Sequence, residues 1–154
     1  MPIYNSNSRG YVGLRNVGSY QVSGTPFLTG STNLDDGKVH RISFPYVTKS
    51  ITIINTSTTN GEDIDIHFST GNVITDQAKG GGIADIDANE DVVKHNNKIT
   101  IPAGNGSLTM DVKCAKFFVS NLSGQNNLSY QVIAELTQIP TGSMYTLTGS
   151  GINS

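Results

Sequence analysis

Three histidines, one cysteine and a run of alternating carboxylates are the residues of this 154-residue chain whose types could do chemistry. His40, His67 and His95 fall in three separate segments, with neither an i,i+4 pair nor an H-x-H arrangement. A single cysteine, Cys114, cannot complete a structural zinc site with them. The histidines therefore read as structural or exposed side chains, with His67 sharing a wet face with Asp65. The run 85–91 (DIDANED) spaces its carboxylates as the opening of a calcium loop does. An EF-hand loop also needs Gly at its sixth position and a bidentate Glu at its twelfth, and those places hold Glu90 and Asn96. What remains is a weaker metal candidate built from Asp85, Asp87 and Asp91, set against a solvated acidic loop or edge strand that Lys94 and Lys98 neutralise without an ion.

Covalent and group-transfer chemistry has no better supply. There is no G-x-S-x-G elbow, no Walker-type loop and no dinucleotide fingerprint, and the segments Ser8-Arg9-Gly10 and 80–82 lack the strand and helix those motifs require. No catalytic residue and no cofactor is expected, and the chain is not read as an enzyme. Phe44, Phe68, Phe117 and Phe118 fall on apolar strand faces and read as core. Tyr4, Tyr11, Tyr20 and Tyr145 are the tyrosines that could serve a sugar-stacking platform.

The elements that would position these residues follow from composition. Only 14% of the residues are charged and 36% are hydrophobic, with 17 glycines and abundant Asn, Ser and Thr. Such usage disfavours helix and suits short strands joined by turns. The length suits one domain. A formal charge of −2, with Lys and Arg scattered, offers no basic field for phosphates, so no nucleic-acid role is expected. Cys114 lies in the apolar run 112–119, where burial and chemical inertness are expected, and it allows no intrachain disulfide. No apolar run reaches membrane-spanning length and the polar start lacks the regions of a secretion signal, so the reading is a soluble protein that meets no membrane.

Along the chain, residues 1–18 read as a polar arm that orders only against something else, with Tyr4, Tyr11, Val12 and Leu14 as its anchors. A first strand is expected over 20–28, then a turn at 33–37 (NLDDG), then a strand over 38–45. Segments 50–55 (SITIIN) and 63–68 (DIDIHF) flank Asn60-Gly61, the signature of a hairpin, and the second places Ile64, Ile66 and Phe68 inward against a wet face of Asp63, Asp65 and His67. Residues 71–82 read as an exposed loop. Further strands are expected over 98–102, 107–113, 115–121 and 128–138. In the last of these Tyr130, Val132, Ala134 and Leu136 face one way and Gln131, Ile133, Glu135 and Thr137 the other. The sum is an all-β chain: one β-sandwich of about eight strands, a jelly roll by preference, with a body over 19–148 and a tail over 149–154.

The phrase 44–53 (FPYVTKSITI), with 134–140 (AELTQIP) and 144–152 (MYTLTGSGI), resembles small virion proteins of marine tailed bacteriophages. The resemblance runs from about Lys38 onward. It implies a capsid decoration, or cement, protein on the head exterior, often a trimer with a sandwich or jelly-roll body, whose partner is the major capsid protein or another virion protein. Localisation to the virion, after assembly in the host cytoplasm, goes with it. A glycan- or receptor-binding sandwich of a tail or fibre, using the loop 71–97, is the alternative function. A jelly-roll coat protein of a small virus comes third, because the N-terminus offers only Arg9 and Arg15 for a genome.

Overall fold

A computed structural model describes Leu14, Val17 and Gly18, residues 24–68, the backbone path of 82–87, and residues 98–144. The expected arm (except at positions 14, 17 and 18), residues 71–81 and 88–97 of the expected loop, and everything after Met144 lie outside the described residues, as do Tyr20, Asp91, Lys94, His95 and Tyr145. Nine strands are formed among the described residues: β1 (Thr25–Leu34), β2 (Lys38–Ser43), β3 (Tyr46–Asn55), β4 (Ile64–His67), β5 (Gly82–Asp87), β6 (Ile99–Ile101), β7 (Ser107–Met110), β8 (Lys116–Ser120) and β9 (Leu128–Pro140). Among the described residues from 24 to 144 the helical content is a single 3-10 turn, Thr141–Ser143. None of the helices among the described residues is long and apolar enough to cross a membrane.

The strands make two antiparallel sheets, a four-stranded one in the order β1-β9-β3-β7 and a five-stranded one in the order β5-β2-β8-β4-β6. The chain is an all-β sandwich. Its core lies between the sheets, where Ile42 and Phe44, Ile51 and Ile53, Ile64 and Ile66, Phe117 and Val119, and Tyr130, Val132 and Ala134 form one cluster. β-Branched and aromatic residues at every second position supply that inner face, as a pleated strand demands.

Three expectations about the path need correction. The first strand runs Thr25–Leu34, not 20–28, because Asn33 and the fully buried Leu34 continue it and the turn tightens later, where Lys38 N donates to Asp35 O (3.1 Å) and Gly37 takes φ of 74°. Asn60-Gly61 does not close a hairpin, since β3 and β4 lie in opposite sheets and pair with other strands. Gly61 does adopt positive φ, 92°, but within a crossover. Buried Asn55 organises that crossover: its Nδ2 donates to Glu62 O (2.8 Å) and Ile101 O (3.1 Å), and its Oδ1 accepts from Ser57 N (3.0 Å). The side chain thus satisfies backbone groups that no ladder reaches. The third correction concerns the wet face of β4, where Asp65 and His67 are both buried.

In β9 the expected alternation holds through Leu136. Thr137 is then buried as well, as is Ile139, while the β3–β9 register slips between Tyr46 and Thr48 and again between Thr48 and Ser50. The irregularity turns the Thr137 hydroxyl inward, where it donates to Val47 O (2.7 Å) and accepts from Ile139 N (3.1 Å).

Candidate functional site

Each sheet of a sandwich has an inner face and an outer one, and the two outer faces of this molecule differ in kind. On the five-stranded sheet the outward side chains of β2, β8 and β4 fall into rows across the ladder: Val39, Ser120 and Asp65 in one, Arg41, Phe118 and His67 in the next. All six are buried. Asp65 sits under Lys98 and Thr100, its Oδ2 accepting from Lys98 Nζ (2.8 Å) and its Oδ1 from Thr100 Oγ1 (2.6 Å). His67 stacks on Phe118, with ring centroids 5.5 Å apart and an interplanar angle of 17°. Burying a carboxylate is tolerated because charge-assisted donors replace its water. Lys98 is therefore committed to Asp65, a partner the linear spacing did not suggest.

The other sequence candidates take structural places where they are described. His40 lies in the interior, Nδ1 at 2.8 Å from the Tyr130 hydroxyl, which ties the two sheets together. Cys114 is buried, and burial pushes its thiol up to about 11, the Thr48 side chain opposing weakly. Thr48 Oγ1 donates to Val112 O (2.6 Å) and accepts from Cys114 N (3.0 Å), pinning the β7–β8 connection to β3. Asp85 and Asp87 fall on β5, the sheet's edge, opposite His40 and Lys38 in backbone register, and Asp91 lies outside the described residues. Among the described residues no group of three His, Cys, Asp or Glu could hold a metal ion. Of the proposed anchors, Tyr4, Tyr11 and Val12 lie outside them. Leu14 is half-buried and its carbonyl accepts from Lys113 Nζ at 3.1 Å.

The outer face of the four-stranded sheet is the candidate site. Its rows run Leu28, Ile133, Thr52, Thr109 and then Gly30, Gln131, Ile54, Ser107. Leu28 is 71% exposed and Ile133 41%. β1 carries no charged residue, and among the described residues the ion pair near this face is Lys49–Glu135 at 3.8 Å. Beside the apolar pair a shallow depression of about 480 Å³ opens, lined by Gly30, Ser31, Thr32, Asn33, Thr56 and Gln131 over the backbone of Tyr130. It exists because β1 leaves register with β9 between Ser31 and Leu34. Gly30 is required there, since a Cβ would stand 2.7 Å from Tyr130 O. Sequence reading placed Gln131 and Ile133 together on one face but missed Leu28 and residues 30–33, whose proximity depends on a register break that no local pattern marks.

An arrangement of exposed aliphatic groups beside uncharged amides and hydroxyls can bind another surface. Comparison of the chain with protein-family models, with curated proteins and with solved structures finds no match.

Proposed function

We propose that this chain is a structural protein of a virus particle, a decoration protein that binds and stabilises the outside of a phage head. The observation that carries the reading is the strand order. With β5 set aside as an added edge strand, β1-β9-β3-β7 faces β2-β8-β4-β6, and successive strands alternate between sheets except across β4 to β6. We read that order as a jelly roll's, an architecture that viral capsid domains share with lectins. The resemblance of 44–53, 134–140 and 144–152 to phage virion proteins is the second support.

In this reading the body forms a homo-oligomer, a trimer by preference, and the chain before β1 is the strap. Lys113 holds the carbonyl of Leu14 at the body, and Tyr4, Tyr11 and Val12 precede it as anchors on a capsid subunit. A contact made only to the assembled shell stabilises that shell by mass action, without catalysis, cofactor or nucleic acid. The experiment is co-sedimentation of the purified protein with phage heads. Saturable binding at hundreds of copies per head is expected, and loss of retention with an intact fold on deleting residues 1–18. Binding absent from heads but present on tails would overturn the head assignment.

A further inference from the structure

We propose that the depression at the β1–β9 register break is a binding site for a neutral, polyhydroxylated ligand, a sugar unit of a surface glycan, with Leu28 and Ile133 as the apolar half of the site. The inference goes beyond the decoration role and does not depend on it.

The lining selects the chemistry. Ser31, Thr32, Asn33, Thr56 and Gln131 present hydroxyls and amides, and among the described residues no charged side chain lines the depression. An anion would call for Arg, Lys or a cluster of backbone N–H groups, and a cation for carboxylates. The described residues supply neither, so the complementary ligand is polar and uncharged.

Unspent hydrogen-bonding capacity is the second observation. Ser31 Oγ donates to Asn33 Oδ1 (2.5 Å) and accepts from Asn33 N (3.3 Å), which fixes the Asn33 amide while leaving both Nδ2 protons to point elsewhere. Thr56 Oγ1 donates to Ser129 Oγ (2.9 Å) and retains its acceptor capacity. Thr32 and Gln131 make no side-chain hydrogen bond among the described residues. A carboxamide offers a donor and an acceptor side by side, and adjacent hydroxyls on a pyranose ring present the matching pair.

The third observation is the neighbouring row. Leu28 and Ile133 stand one row from Gly30 and Gln131 on the same face and are the apolar surface next to the polar hollow. A sugar has hydroxyl edges and C–H faces, and an edge in the hollow places a C–H face over the two aliphatic side chains. At about 480 Å³ the depression falls within the range of small-ligand sites. It is open, and Tyr130, the aromatic beneath it among the described residues, is buried with its hydroxyl on His40. Binding by one site is accordingly weak.

The test is a titration of the full-length, 15N-labelled protein with the methyl glycosides of galactose, glucose and N-acetylglucosamine, and separately with sialic acid and glucose 6-phosphate. At least one neutral glycoside is expected to shift the amides of residues 30–33, 56 and 131 saturably, with a Kd on the order of millimolar. Asn33→Ala and Gln131→Ala should each weaken it about fivefold, the worth of one hydrogen bond, and Leu28→Ser by a similar factor, with the remaining spectrum unchanged. No saturable shift from any neutral glycoside up to about 50 mM, where even a 10 mM site would be mostly filled, overturns the proposal. So do shifts confined to other residues, binding of the charged sugars alone, or variants that bind as the parent does. Failure to bind phage heads would leave this result standing, and a failed titration would leave head binding standing.

Discussion

Two outer sheet faces built on the same alternation have opposite fates in this molecule. The face of the four-stranded sheet is exposed and almost free of charge, with Leu28 at 71% exposure. The face of the five-stranded sheet carries Arg41, Asp65 and His67, yet these are buried and Phe118 among them is 2% exposed. Hydrophobicity would have assigned the faces the other way round. The difference teaches that a period of two says which side chains share a face but not whether that face meets water. Polar residues go inside when partners await them, as Lys98 and Thr100 await Asp65.

The comparison can be broken first by truncating an apolar residue on each face. Phe118→Ala should cost about 3–5 kcal/mol, as removal of a fully buried phenyl ring does, and should also release His67 from its stack. Urea unfolding monitored by circular dichroism reads this as a lower midpoint at similar slope. A cost under about 1 kcal/mol would mean that the outer face of the five-stranded sheet is not buried in solution.

Asp65→Ala should come next, at about 2–3 kcal/mol, because it leaves Lys98 and Thr100 without their acceptor; Lys98, partly exposed, recovers some of that loss in water. Asp65→Asn should cost less, since it keeps an acceptor for Thr100. Equal stability of all three proteins would contradict the pairing.

Between the faces lies the interior, where Cys114 supplies a pH test. Its thiol is raised from 9.0 to about 11 by burial, so the folded state holds the proton more tightly than the unfolded chain does. The resulting stabilisation is fully present below pH 9 and is lost as pH climbs from 9 through 11, amounting to about 2 kcal/mol by the upper end. The difference in stability between the parent and Cys114→Ala should therefore shrink across that window, and the native thiol should react slowly with a thiol reagent at pH 8. A difference that stays flat to pH 11 would place the thiol in water.

The smallest effect belongs to the exposed face. Leu28→Ser should change stability by no more than about 0.5 kcal/mol while weakening whatever binds there, since a side chain at that exposure has little packing to lose. A large loss would show that the face is occupied in the free protein, by another copy of the chain, and concentration-dependent sedimentation would then reveal the oligomer.

Much of the secondary structure was legible because its causes are local. Ser107–Met110 and Leu128–Pro140 announce themselves by alternation, and Gly37, Gly61 and Gly104 mark turns by the positive φ that glycine tolerates. The apolar context of Cys114 foretold its burial for the same reason. Sheet partnership was not legible. Asn60-Gly61 has the residues of a hairpin, and what decides between hairpin and crossover is whether Ile51 and Ile53 find a better partner than β4, which β9 provides.

By itself, then, the sequence determined an all-β chain with most of its strand segments, its low charge and its turn positions, since period, composition and backbone sterics act over a few residues. Only the tertiary structure decided which strands pair, which outer face is buried, and that Gly30, Thr56 and Gln131 border one hollow. The physical reason is distance along the chain. Consecutive strands mostly change sheets, so defining contacts such as His40 with Tyr130 join residues 90 positions apart, and their energies exist only once the sandwich has closed.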